Sequence, residues 1–220
     1  MAQASETAAR YRQAFPDRWS DETPAEQVRF VVFDAETTST DPRSAEPVTL
    51  GAVAVQDGEI RVDDVFEAMI RLRYNSAAVT VHGVTREQSL EGLEEPEALG
   101  RFLDYLGDAV IVGHHIGFDL LVMSRAVESC FGLPLENRSL DTMEIALLLH
   151  QDGALEDSGG HSLDALLSLF AITAHDRHTA AGDSFLTAQV FQRLLRRAYR
   201  RGRTTLGRLS EKPADSAVDP

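Results

Sequence analysis

Apolar positions along the chain fall into short strand-like runs that alternate with stretches of helical spacing. Val28-Arg29-Phe30-Val31-Val32-Phe33 is a β-branched and aromatic run, and Val110-Ile111-Val112 is a second that breaks at Gly113. Beyond that break, Leu120, Leu121, Met123 and Ala126 predict a helix. Leu163, Leu166, Leu167 and Phe170 recur at helical spacing and predict another with a core-facing stripe. Further helices are expected near Ala8 to Phe15, through Leu149 behind an Asp141/Glu144 capping box, and from Ser184 onward. Strands alternating with helices predict an α/β fold.

The polar residues that end these runs carry the candidate chemistry. Side chains alternate across a strand with period 2, so Asp34 and Glu36, in Asp34-Ala35-Glu36-Thr37-Thr38, share one face and Ala35 the other. Two like charges held that close repel unless cations lie between them, and hard divalent ions with oxygen ligands suit the arrangement. By itself the pair reads equally well as a solvated loop mouth. Asp119 follows the second run, in His114-His115-Ile116-Gly117-Phe118-Asp119. It is expected in a first helical turn, where the macrodipole favours an anion. In His178-Thr179-Ala180-Ala181-Gly182-Asp183, a helical rotation of about 100° per residue puts His178 and Asp183 on different sides of one helix. Their convergence therefore requires His178 on a loop and Asp183 on the helix, with Gly182 loosening the junction. Taken singly, Asp119 is a plain helix-terminal carboxylate, and the third block is a surface histidine ahead of a capping aspartate.

In this order and at these separations, the three blocks resemble the DEDDh exonucleases. That DnaQ-like family includes the proofreading subunit of bacterial replicative polymerases, ribonuclease T and oligoribonuclease. The family pattern is Asp-x-Glu-Thr-Thr-Gly, then His-Asn-x-x-Phe-Asp, then His-x4-Asp, and the likeness spans roughly residues 28 to 195. His82-Gly83-Val84-Thr85, Leu140-Asp141-Thr142 and Ser162-Leu163-Asp164-Ala165-Leu166 are similar to further family segments. His82 either borders the terminal nucleotide or only shapes a turn. The resemblance implies a ribonuclease H-like fold, a central mixed sheet flanked by helices, with a site for two divalent cations, Mg2+ or Mn2+. It implies that Asp34 bridges both ions, that Glu36 and Asp183 complete the site holding the attacking water, and that Asp119 joins Asp34 on the second ion. His178 would take the water's proton, a role suited to an imidazole, whose unperturbed pKa is about 6.5. Thr37, Thr38, His82, His114, His115 and Phe118 are the expected substrate-binding residues. Two positions depart from the pattern: Ser39 stands for Gly, which bears on backbone approach to the terminal sugar, and His115 stands for Asn, which adds an imidazole near the ions. The tyrosine branch of the superfamily is disfavoured by Thr179 at its diagnostic position.

The implied activity is 3′ to 5′ removal of nucleoside 5′-monophosphates from single-stranded or 3′-end nucleic acid, DNA favoured over RNA. An exoribonuclease acting on RNA ends or short oligoribonucleotides is one alternative, and a non-catalytic binding module on the same fold is another. A polymerase or other replication or repair protein would be a partner in trans.

With 220 residues, 43% of them hydrophobic, the chain can bury one sizeable core. The expected layout is a partly helical extension over residues 1–27, an exonuclease domain over 28–203 and a flexible tail over 204–220. A single cysteine, Cys130, excludes an internal disulfide, and no apolar run approaches the ~20 residues of a membrane span. The first residues lack a signal peptide's basic start and apolar stretch, so a cytoplasmic protein with no membrane partner is expected. A formal charge of -14 runs against broad phosphate binding. Yet Arg193, Arg196, Arg197, Arg200, Arg201, Arg203 and Arg208 lie between Ser184 and Ser210, where there is no acidic residue. The first five share one broad helical face, which either follows a phosphate backbone near Asp183 or is a solvated or docking surface for an acidic partner.

Overall fold

Alternation along Phe30–Thr37, strand β1, sends Phe30 and Val32 to one side of a sheet and Val31 and Phe33 to the other, and all four are buried. A strand apolar on both faces must be covered on both. The structure, a computed structural model, describes residues 2–15, 19–71, 90–156 and 159–212. β1 is the middle strand of a five-stranded sheet of order β3-β2-β1-β4-β5. Strand β2 (Pro47–Gln56) pairs antiparallel with β1 and with β3 (Glu59–Met69). β4 (Val110–Gly113) runs parallel to β1, and β5 (Ser139–Asp141) parallel to β4.

Helices close both faces. Beneath Val31 and Phe33 lie α2 (Glu95–Leu106) and α3 (Gly117–Phe131), with Phe33 against Phe102 at a ring separation of 4.8 Å. Over Phe30, Val32 and Val112 lie α4 (Thr142–Gln151), α5 (Leu163–Leu169) and α6 (Ala180–Arg200), with Phe30 edge-on to Phe191 at 5.1 Å. Leu166 and Leu167 of α5 are core residues, as their spacing predicts. Among the described residues no helix is long and apolar enough to cross a membrane.

Described segments near both ends of the chain pack onto the sheet and its helices. The amino-terminal helix, α1, spans Ala2–Gln13 and so starts earlier than Ala8, since alanine and glutamine near its start are good helix formers. It docks through Ala8 and Tyr11 onto Leu103 and Val127, while Trp19 packs against the larger core. Packing also continues past the Arg203 boundary, because Leu206 and Leu209 in a final turn, α7 (Leu206–Leu209), are buried in the core that holds α6. Pro24 and Thr205 form a bridge that ties the two ends together.

One close approach sets the position of α6. Gly51 on β2 is the partner of Asp34 on β1, and a methyl group there would overlap the main chain of Ala180 and Ala181 in the first turn of α6. Glycine at this position lets the helix start lie directly on the sheet. Gly51→Ala is therefore expected to cost about 1–3 kcal/mol of unfolding free energy in urea titrations. Unchanged stability would show that α6 is not seated there.

Candidate active site

The register of β1 turns Asp34 and Glu36 toward α6, as their period-2 spacing predicts. Asp183 comes down on them from the first turn of that helix, and oxygens of Asp34, Glu36 and Asp183 lie within 4.8 Å of one another. Glu36 and Asp183 are each 8% exposed. Burial, followed by the charges of Asp119, Asp183 and Glu36, pushes the Asp34 carboxyl well above the ordinary carboxylate range, and Arg177 opposes that shift. An all-oxygen, like-charged donor set that is partly withdrawn from water fits hard divalent cations.

The loop ahead of α6 places His178 as the spacing requires. His178 is exposed, has φ +64°, and donates its main-chain N–H to Asp183 at 3.2 Å. Thr179, not Asp183, caps the helix, accepting the Gly182 N–H at 3.1 Å. Gly182 does not loosen this junction: it lies inside α6, and a side chain there would overlap the Asp176 carbonyl, so its missing Cβ lets the loop fold tightly against the helix. Arg177 donates to Asp183 and also pairs with Asp164 at 3.0 Å. Neither Arg177 nor Gly51 stands out from the sequence alone, since each acts through a tertiary neighbour.

Asp119 sits in the first turn of α3, buried beside the cluster. β4 pairs with β1 only as far as Val32, and farther along β1 the Ala35 N–H turns to the Asp119 carboxylate. Burial lifts the Asp119 carboxyl to about 7 despite that hydrogen bond and one from its own amide. His114 Nδ1 lies 2.9 Å from Thr142 Oγ1, whose proton goes to the Gly113 carbonyl. That network assigns the proton to His114 Nδ1 and leaves Nε2 as a buried acceptor with no partner among the described residues. Burial lowers the His114 pKa to about 4, with smaller contributions from His115 and Arg177. His115 is exposed at φ +55°, a conformation that asparagine and histidine adopt more readily than most residues. Asp141 accepts the His115 and Ile116 N–H groups, each at 3.1 Å, and caps α4 through Met143. Glu144, the expected second half of a capping box, pairs with Lys212 instead.

Thr37 and Thr38 use their hydroxyls to shape the loop after β1, Thr37 donating to the Ser39 carbonyl and Thr38 accepting from the Glu46 N–H. Ser39 accepts the Asp41 N–H, and Arg125 of α3 clamps the same loop through the Pro42 and Ala45 carbonyls. Phe118 is half-buried beside Asp119. His82 lies outside the described residues. The arginine-rich end of α6 lies away from Asp183. Arg200 is about 25 Å farther along the helix axis at about 1.5 Å per residue. Arg196 meets Glu59, Arg203 meets Asp152 and Glu211, and Arg197 lies over Phe170.

The exonuclease family model matches residues 31–191. The chain is 37% identical over 191 residues to a DNA polymerase III subunit epsilon-like protein of Rhodobacter capsulatus, covering 84% of this chain and 26% of that protein. Against DNA polymerase III PolC-type of Thermotoga maritima it is 30% identical over 196 residues, covering 87% of this chain and 14% of that protein. It thus spans about a quarter or less of the length of these curated relatives. Among solved structures, E. coli exonuclease I in complex with a dT13 oligonucleotide superposes with a TM-score of 0.67 at 18% identity, covering 80% of this chain and 43% of that one. The dA16 complex of the same protein gives 0.69 at 18% identity, covering 79% and 42%. At that identity the likeness speaks for the fold, and it bears out the ribonuclease H-like arrangement of a mixed sheet flanked by helices.

The Asp119 shift has a measurable sign. Its folded pKa of about 7 exceeds the unfolded value of about 3.9, so the folded state holds the proton more tightly. That contribution is complete at low pH and is lost as pH rises from about 4 to about 7. Thermal melts in EDTA should show stability falling across this window, and Asp119→Asn should flatten the slope. An undiminished slope in the variant would contradict the assignment.

Proposed function

The chain belongs to the exonuclease family, and from that premise we propose that it is a divalent-cation-dependent 3′ to 5′ exonuclease acting on single-stranded or 3′-end nucleic acid, DNA in preference to RNA. The observation that carries this reading is the convergence of Asp34, Glu36 and Asp183 within 4.8 Å, with Asp119 buried alongside. The preference for DNA draws support from relatives named as DNA polymerase III proteins and from exonuclease I bound to dT13. The same relatives support a role beside a polymerase or other replication or repair protein, and a cytoplasmic location with that partner in trans belongs to the same proposal.

In this reading the four carboxylates hold two ions, Mg2+ or Mn2+. Asp34, Glu36 and Asp183 would hold the ion beside the attacking water, and Asp119 with Asp34 would hold the other. When bound, such a pair lowers the pKa of water and neutralises charge on the attacking and leaving oxygens. His178 accepts the proton of the water that attacks phosphorus while the bond from phosphorus to the leaving 3′ oxygen breaks, giving a nucleoside 5′-monophosphate. An imidazole suits that exchange near neutral pH, and the exposed loop position of His178 gives it access to solvent. Thr37, Thr38, His114, His115 and Phe118 would border the terminal nucleotide, the threonines through the loop they brace. His82 is part of the same proposal.

Digestion of matched 5′-labelled single-stranded DNA and RNA tests the reading. With Mg2+ or Mn2+, ladders should grow from the 3′ end, faster on DNA. EDTA should abolish them, and Asp183→Asn should slow them roughly 10²- to 10³-fold. Faster RNA digestion would reassign the substrate, and no cleavage of either with both metals would overturn the enzyme reading.

A further inference from the structure

Asp183 uses both carboxylate oxygens within the protein. Oδ2 accepts the His178 main-chain N–H at 3.2 Å, and Oδ1 accepts from Arg177 Nη1. The same guanidinium reaches the opposite way, with Nε and Nη2 at 3.2 and 3.0 Å from Asp164 Oδ1 in the first turn of α5. Arg177 is the cation that opposes the repulsion felt by Asp34, so its charge extends across the cluster. Its side chain is only 23% exposed, whereas that of Asp164 is 76% exposed.

A guanidinium in this position does at single charge what a divalent ion does at double charge: it holds like-charged oxygens together. A divalent cation that coordinates Asp183 through Oδ1 must share that oxygen with Arg177, and two cations at one oxygen repel. Asp164 gives the displaced guanidinium a partner it already has. We propose that Arg177 is a resident counter-cation that competes with divalent ions for Asp183 and so sets the affinity of the metal site, with Asp164 retaining it after exchange. The proposal rests on the divalent-cation reading of the cluster. It makes Arg177 a positioning residue.

Calorimetric titration of the full chain with Mn2+ alone tests this. Arg177→Gln should bind Mn2+ roughly tenfold more tightly than wild type, the size of one relinquished hydrogen bond between charged groups. Its melting temperature in EDTA should fall, because the cluster loses its counter-charge. Arg177→Lys keeps the charge but not the fork and should bind with intermediate affinity. Asp164→Asn should weaken Mn2+ binding in wild type by a larger factor than in the Arg177→Gln background, since the part acting through Arg177 is then absent. A merely structural arginine would not tighten metal binding when removed. Unchanged or weaker binding by Arg177→Gln, with wild type binding Mn2+, would overturn the inference and leave the proposed function standing. A wild-type chain that binds no Mn2+ would overturn both.

Discussion

Carboxylates of like charge must be held against one another with little water between them, and the rest of the site depends on how the fold meets that constraint. Two full charges 4.8 Å apart repel by about 3 kcal/mol at an effective dielectric of about 20. Three features bear on this: the raised proton affinity of Asp34 and Asp119, main-chain N–H donors from Ala35 and His178, and the guanidinium of Arg177.

Geometry enforces the encounter. β1 brings Asp34 and Glu36 to one face, but they meet Asp183 only because α6 lies flat on β2 at Gly51. The tight loop before α6, with its close contact between Gly182 and Asp176, turns Arg177 and the His178 N–H back onto the Asp183 carboxylate. Sheet register, helix seating and loop shape thus act on the same few oxygens, so a change in any of them is felt at the site.

The local parts of this arrangement were legible in the sequence. Period-2 alternation put Asp34 and Glu36 together, and the break at Gly113 put Asp119 in a first helical turn. The five-residue offset required His178 to leave the helix that carries Asp183. What was not legible depends on partners far along the chain. Nothing local marks Gly51 as the seat of α6, or links Arg177 to Asp164, or reveals that Leu206 and Leu209 are buried in an arginine- and glycine-rich stretch. The arginines are a further case: charge along a helix says nothing about which acidic groups the fold brings to it, and Glu59 pairs with Arg196 of α6 while Asp152 and Glu211 pair with Arg203 just beyond it. His115 is intermediate, since its positive φ accounts for the family's asparagine only once the backbone is known.

In the proposed function the cluster binds divalent cations. Anomalous diffraction from crystals grown with Mn2+ tests it most directly. Anomalous density should appear among Asp34, Glu36 and Asp183, with the Arg177 guanidinium moved off Asp183 onto Asp164. Crystals that show no manganese at these carboxylates, or manganese bound only elsewhere, would contradict it.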